Sequence, residues 1–376
     1  MWRDPSAIPP RDFLFGVHYI REFVSGTAAP GGTGKSFLAQ GEALSMASGI
    51  PFLGVNCHAY AAGLNVWYWN LEDPLVEIER RFAAAAIHHG LDTAALADRL
   101  YVNSGRDTPL VTATKVKDHV NIATPVVDGL ISELRAKKID VIIIDPFISS
   151  HAVPENDNAA IDAVVKSWGR IASQAHCSVE LVHHTKKMGG EAMTEESFRG
   201  AKSLVDGLRS GRVLHRMSEA DAMNLGVDER RRFFYTMAEK QSLAPPVTER
   251  TWFRLSSLEL ANGDNVGVVE PWQPPNAFDG VTVSDLEAVQ KIFRAGAYRE
   301  SDQSTDWGGY VVADTLSLDV GPGLKAKERS PAQNSARAKV KQILRTWIAN
   351  GQIGTEERPD AKRNMRLFYV VPDGLD

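Results

Sequence analysis

Residues Ala29 to Ser36 read A-P-G-G-T-G-K-S, the [AG]-x-x-x-x-G-K-[ST] pattern of a loop that grips phosphate. Gly31, Gly32 and Gly34 let successive backbone N–H groups curl toward phosphate oxygens, and a helix opening directly behind them adds its partial positive charge. The Lys35 ammonium is placed to reach β- and γ-phosphates, and the Ser36 hydroxyl to take one position on Mg2+. The expected nucleotide-binding run is therefore Pro30, Gly31, Gly32, Thr33, Gly34, Lys35, Ser36 and Phe37. A glycine-rich turn before an ordinary helix would use similar letters. The strand-like Phe23–Thr27 ahead of the run and the helix-opening Ser36–Gln40 behind it favour the phosphate reading.

Binding a triphosphate is not cleaving it, and cleavage needs carboxylates. Val141 to Ile144 is uniformly β-branched and ends in Asp145, where a Mg2+ ion held with Ser36 would sit. Glu72 and Asp73 follow another apolar stretch, Val66–Leu71. Asp73 precedes Pro74 and reads as a helix cap, which leaves Glu72 as the base that deprotonates the attacking water. A third strand, Ser178–Val182, runs into His183-His184-Thr185-Lys186-Lys187. Successive strand residues face opposite ways, so one histidine of the pair faces the site and can hydrogen-bond the γ-phosphate. Adjacent histidines make a poor zinc site without a third ligand. Arg199 and Arg209 are both candidates for a guanidinium donated to the transferring phosphoryl group, often across a subunit boundary, and spacing does not separate them.

These groups converge only if strands and helices alternate around them. From about Phe13 to Leu260 short apolar runs alternate with helical stretches, the pattern of a mainly parallel sheet flanked by helices. Arg231–Met237 and Thr251–Leu260 read as later antiparallel strands, with a turn at Asn262–Asn265 returning the chain to Val266–Val269. The expected division is residues 1–270 as the P-loop core, 271–280 as a proline-rich linker and 281–376 as a small second domain. In that second domain Ser284-Asp285-Leu286-Glu287 reads as a capping box, and Ser330-Pro331 opens a helix whose apolar face is Ala336, Val340, Ile343, Leu344 and Trp347. Arg337, Lys341 and Arg345 form a stripe beside that face, and Lys362 and Arg363 lie in a basic turn before the strand-like Leu367–Val371. Between Val320 and Val370 eleven Lys/Arg stand against four Asp/Glu. Helices followed by a basic hairpin suggest a winged-helix-like module that contacts nucleic-acid phosphates.

Bulk properties narrow the classes. The 376 residues are 43% hydrophobic and 24% charged, as in ordinary globular proteins, and the net charge of -5 leaves nucleic-acid affinity to local patches. Cys57 and Cys177 form neither a metal motif nor a disulfide framework. Without a signal segment or an apolar run of membrane-spanning length, a cytoplasmic location and no membrane partner are expected.

Taken together, the ordered motifs resemble the RepA-type hexameric replicative helicases of plasmids, within the RecA-like P-loop ATPases. The matching runs are A-P-G-G-T-G-K-S at 29–36, E-D-P at 72–74 with Arg81 nine residues after Glu72, and I-D-P at 144–146. H-H-T-K at 183–186 and R-G-A-K-S-L-V-D-G-L-R at 199–209 complete the set, with weaker similarity from R-R-F-F at 231–234 to W-F-R at 252–254. The resemblance spans roughly residues 10–270. It implies ATP and Mg2+ as cofactors, Lys35, Glu72 and Asp145 in the roles above, His184 as the γ-phosphate sensor, Arg209 as the intersubunit finger and Arg81 as a further nucleotide-site arginine. It also implies a homohexamer or other ring that threads single-stranded DNA, with Lys186 and Lys187 lining the channel. Lys240-Gln241-Ser242 stands where the family usually has Lys-Ala-Asn, and the unit after Pro275 has no counterpart in the shortest members. The expected function is an ATP-dependent DNA helicase of plasmid, phage or mobile-element replication. The competing readings are an ATP-gated DNA-binding switch without unwinding activity (a loader, recombination mediator or regulator) and a metabolic P-loop kinase.

Overall fold

The computed structural model describes residues 2–372, apart from residues 59, 118, 186–201, 226, 228, 326 and 361–362. It divides into two compact units, residues 1–216 with 231–272, and residues 217–230 with 273–376.

The first unit opens with a short antiparallel pair, β1 (Phe13–Phe15) and β2 (Tyr19–Ile20), followed by β3 (Val24–Pro30) and α1 (Lys35–Ser48). Next come β4 (Val66–Asn70), α2 (Leu75–His88), β5 (Leu100–Ser104), the hairpin β6 (Ala113–Val116) and β7 (His119–Ile122), and α3 (Thr124–Ala136). Then β8 (Val141–Asp145), α4 (Asn158–Ala175) and β9 (Ser178–Thr185) lead to α5 (Lys202–Gly207) and β10 (Ser210–Arg216). After α6 (Glu219–Leu225), which belongs to the second unit, the chain returns through β11 (Phe233–Gln241), β12 (Thr251–Glu259) and β13 (Asn265–Pro271).

Nine of these strands form one sheet in the order β13-β12-β11-β10-β3-β9-β8-β4-β5. From β10 to β5 every pairing is parallel; β11, β12 and β13 extend the β10 side as antiparallel neighbours. This is the mixed α/β architecture read from the alternating pattern. A parallel sheet is covered on both faces, and β8 accordingly is buried at all five positions. On one face Ile142, Ile144, Val179 and Leu181 pack against α3 and α4, with Trp168 fully enclosed. On the other Val66, Tyr68, Val141 and Ile143 meet Ala43, Leu44 and Ala47 of α1 and Ile78 and Phe82 of α2.

Helix α1, which must aim its first turn at a ligand, is fixed to the sheet by a buried ion pair. Both terminal nitrogens of Arg212 on β10 fork onto the Glu42 carboxylate at 2.6 Å, while Arg212 Nε donates to the Thr27 hydroxyl on β3 at 2.9 Å. A planar fork on a carboxylate fixes orientation as well as distance.

The second unit contains α6, α7 (Val283–Ala295), α8 (Gly309–Thr315), α9 (Pro331–Ala349) and an antiparallel hairpin, β14 (Gly354–Pro359) with β15 (Met365–Val370). Val289, Phe293, Trp307, Val312, Val340, Ile343, Leu344 and Trp347 form its core. Helix α9 starts at the expected Ser330 cap, with Gln333 completing a capping box. Three details differ from the sequence reading. The cap of α7 is Thr282, which exchanges hydrogen bonds with Asp285, while Ser284 lies inside the first turn. Regular structure runs into the segment read as linker: Pro271 ends the edge strand β13, where a missing N–H costs nothing, and Trp272 packs on Phe233 and Trp252. Arg337 is 4% exposed, with its guanidinium 4.2 Å from the centre of the Trp307 ring. A core cation stacked on an indole cannot serve as a DNA contact.

Candidate nucleotide site

The loop Gly31–Gly34 joins the carboxyl end of β3 to α1, at the sheet edge where open α/β folds hold ligands. Gly34, at the N-cap position of α1, has φ +112° and no side-chain cap, so the helix's first amides remain for an anion. An L side chain there would be strained, and its Cβ would come within 3.1 Å of Phe234 and 3.3 Å of Leu255. Thr33 closes the loop by donating its hydroxyl to the Pro30 carbonyl at 2.9 Å. Ser36 sits half-buried in the first turn of α1.

Three strand ends supply the rest. Lys35, 4% exposed, places its Nζ 2.8 Å from His184 Nδ1 at the end of β9. The ammonium can only donate, so Nδ1 accepts and the imidazole proton lies on Nε2. That Nε2 is 4.0 Å from Glu72 Oε2. Asp145 ends β8, 1% exposed, with one carboxylate oxygen accepting from Tyr68 Oη at 2.7 Å. Asn70 ends β4, and its Oδ1 accepts from the amides of Glu72 (3.0 Å) and Asp73 (2.7 Å), a local turn that aims Glu72 over the sheet edge. Lys35, Glu72, Asp145 and His184 thus converge.

The electrostatics follow from that convergence. Burial pushes the Lys35 ammonium down while Asp145 and Glu72 pull it back up. Partial burial and then the Asp145 charge raise the Glu72 carboxyl above its ordinary value, against Lys35. His184 is pushed down by burial and by Lys35, which keeps it neutral. His183 points to the opposite face of the sheet, near Phe147 and His151, as strand alternation requires. It is His184 that faces the loop.

A Mg2+ ion prefers hard oxygen ligands. The Ser36 hydroxyl and the Asp145 carboxylate supply them beside a lysine that offsets excess negative charge, so the donor set fits that ion.

Arg81 lies on α2 beside this site, paired with Asp73 at 2.7 Å and Glu77 at 2.9 Å, its guanidinium 5.6 Å from the centre of the Phe37 ring. Arg209 lies elsewhere. Its amide donates to Val24 at the start of β3, and the next residue, Ser210, pairs with Ser25. The loop begins six residues further along β3, about 20 Å away at the rise of a strand. Lys240 steadies this turn: its Nζ donates to the carbonyls of Val205 (2.9 Å) and Asp206 (2.8 Å), and Ser242 donates to the Arg209 carbonyl.

Among the expected DNA contacts, Lys341 is ion-paired with Asp302, whereas Arg345 and Arg363 are exposed. Lys186, Lys187 and Lys362 lie outside the described residues, as does Arg199. Sequence reasoning missed Asn70, Tyr68, Arg212 and Arg216. The last ends β10 and donates to the Gly31 and Gly32 carbonyls. The signal for the two arginines was their spacing of four on one strand face, visible only once S-G-R-V-L-H-R is read as a strand.

Among solved structures, that of the RadB recombinase is similar over 66% of this chain and 92% of its own, at 14% identity and a TM-score of 0.40. The family description "AAA domain" matches residues 2–190, just over half of the chain and the whole stretch that carries the loop, Glu72, Asp145 and His184. The chain belongs to the AAA domain family and is a P-loop ATPase.

Proposed function

We propose that this ATPase is a DNA-driven motor, an ATP-dependent helicase of the RecA-like, RepA type that acts in plasmid, phage or mobile-element replication. ATP is cleaved at contacts between protomers of a homohexamer or other ring, and single-stranded DNA activates the reaction. The observation that carries this reading is the position of Arg209. It is held by the Lys240 turn at the sheet end remote from its own phosphate loop, so a phosphoryl group that it serves belongs to a neighbour.

The chemistry then assigns itself. The triphosphate draws Lys35 away from His184 Nδ1, and the proton on Nε2 makes His184 a donor to a γ-phosphate oxygen. Glu72 takes the proton of the attacking water as its oxygen bonds to the γ-phosphorus and the bond to the β-phosphate bridging oxygen breaks. A neighbour's Arg209 meets the spread charge on the transferring group. Ser36 and Asp145 would hold Mg2+, which would supply charge neutralisation to the triphosphate. Release of phosphate removes the partner of His184 at the end of β9, where the chain enters residues 186–201 and Lys186 and Lys187. Residues 281–376, read as winged-helix-like, add duplex contacts through Arg345, Lys362 and Arg363.

The test is ATP turnover with and without single-stranded DNA. Turnover is expected to rise on DNA addition and to vanish in Lys35→Ala. Mixing Lys35→Ala with Arg209→Ala protein is expected to recover activity that neither shows alone, because some interfaces then combine an intact loop with an intact finger. Equal turnover with and without DNA would sink the motor. Stimulation without unwinding of a forked duplex would leave the ATP-gated switch in its place.

A further inference from the structure

We propose that Arg216 is a positioning residue for the phosphate loop, a cationic brace that keeps the loop's amides turned toward the triphosphate. The inference rests on the nucleotide reading of the loop and assigns a residue that neither the motif nor the resemblance includes. Strands β3 and β10 run in step, Val213 pairing with Ala28, so Arg216 comes level with Gly31 just where β3 gives way to the loop. Its Nη2 donates to the Gly31 carbonyl at 3.4 Å and to the Gly32 carbonyl. In a planar trans peptide the C=O and N–H point opposite ways. Holding those two oxygens toward Arg216 therefore turns the Gly32 and Thr33 amides to the other side. A cation on a carbonyl also polarises the peptide unit, making its N–H a stronger donor.

Two further observations separate this from an incidental surface contact. Among the described residues no carboxylate competes with the loop for the exposed Arg216 side chain, whose hydrogen-bond acceptors are the Gly31 and Gly32 carbonyls. The residue paired with it across β11, Phe234, is the one whose ring lies under Gly34. The ends of β10 and β11 thus form one platform, with Arg216 holding the first half of the loop and Phe234 supporting the second.

A brace acts on the loop as a whole, so it affects every ligand the loop holds. A γ-phosphate ligand would affect ATP alone. The experiment is calorimetric titration of ADP and of ATP into wild type, Arg216→Ala, Arg216→Lys and Lys35→Ala, with steady-state ATP turnover alongside. Arg216→Ala is expected to weaken ADP and ATP by the same factor, about three- to tenfold, the worth of one charge-assisted hydrogen bond at an exposed site. KM should rise in step and kcat stay within about twofold, and Arg216→Lys should recover most of the loss. If Arg216→Ala does not fold, Arg216→Met keeps the stem, removes the donors and gives the same comparison. Unchanged affinities, a loss confined to ATP, or a fall in kcat at constant affinity would each overturn the brace. A wild-type protein that binds neither nucleotide, or a Lys35→Ala protein that binds as well as wild type, would instead overturn the loop reading beneath it.

Discussion

At the scale of single residues, the nucleotide site is a short chain of groups, each setting the state of the next. Lys35 fixes the tautomer of His184, and partial burial together with the Asp145 charge keeps the Glu72 carboxyl easier to protonate than a free one. A base is useful only as its carboxylate, so kcat/KM, which reports the free enzyme, should rise with pH on an acid limb displaced upward from that of an ordinary glutamate. Glu72→Gln keeps the size and the Asn70-built turn but takes up no proton. Turnover is expected to fall by about 10²-fold or more, the acid limb to disappear, and ADP affinity to stay within about twofold. Turnover and kcat/KM profiles from pH 4.5 to 8 with parallel ADP titrations check all three. A Glu72→Gln protein of near wild-type turnover would move the base elsewhere. Lys35, Glu72 and Asp145 were legible because a motif or a strand end marks each. Asn70 was not, since nothing in V-W-Y-W-N-L distinguishes a turn-building amide from the last polar residue of a strand.

At the scale of elements, legibility followed the purity of the apolar signal. β3 (V-S-G-T-A-A-P) and β9 (S-V-E-L-V-H-H-T) carry polar residues within their runs, but β8 and most of β4 announce themselves through unbroken apolar stretches, as strands buried on both faces do. β10 does not, because Gly211, Arg212, His215 and Arg216 interrupt its pattern, and its cations have structural tasks that only the folded sheet reveals. The basic stripe of α9 misled for a geometric reason. At 100° per residue, positions i, i+4 and i+8 drift by 40° at each step, so Arg345 can face solvent while Arg337, two turns earlier, has rotated into the core. Strand alternation also has a thermodynamic consequence. His183, on the far face of β9, and His151 are buried beside Phe147, and burial pushes each down to about 4. Among the described residues His183 Nδ1 and His151 Nε2 have no hydrogen-bond partner. A folded-state value below the unfolded value of about 6.5 means that the unfolded chain takes up more protons between the two. The stability these neutral rings permit is therefore complete above pH 6.5 and is lost as pH falls toward 4. At about 1.4 kcal/mol per pKa unit the loss is on the order of 3 kcal/mol for each ring. Urea unfolding of wild type and of a His151→Phe/His183→Phe double variant at pH 7.5, 6 and 5 measures it. The wild type should weaken steeply over this span and the variant much less; parallel slopes would assign the acid sensitivity to other groups.

At the scale of the whole molecule, the sequence suggested a core and an appendage, divided in the proline-rich segment near residue 275. The chain is arranged differently. It leaves the ATPase unit after Arg216, contributes residues 217–230 to the second unit and returns for β11–β13 before entering that unit again at Gln273. Within the second unit α6 packs against α9, and Met217 and Ala222 are buried. The excursion was illegible because seven helical residues with a single buried alanine carry little periodic signal, and only a partner distant in sequence makes them a core element. A protein ending at Trp272 keeps every strand of the nine-stranded sheet but strips α6 of α9. A helix of seven residues does not hold its shape in water alone, so residues 217–230 should become open to proteolysis in the truncated protein while the full chain resists there. Arg216 stands at the mouth of this segment, yet its donors point to the loop within its own unit, so ADP binding should survive truncation with at most a few-fold loss. Limited trypsin digestion mapped by mass spectrometry, with ADP titration of both lengths, decides it. Equal resistance of residues 217–230 in the two proteins would mean that the excursion is held without α9.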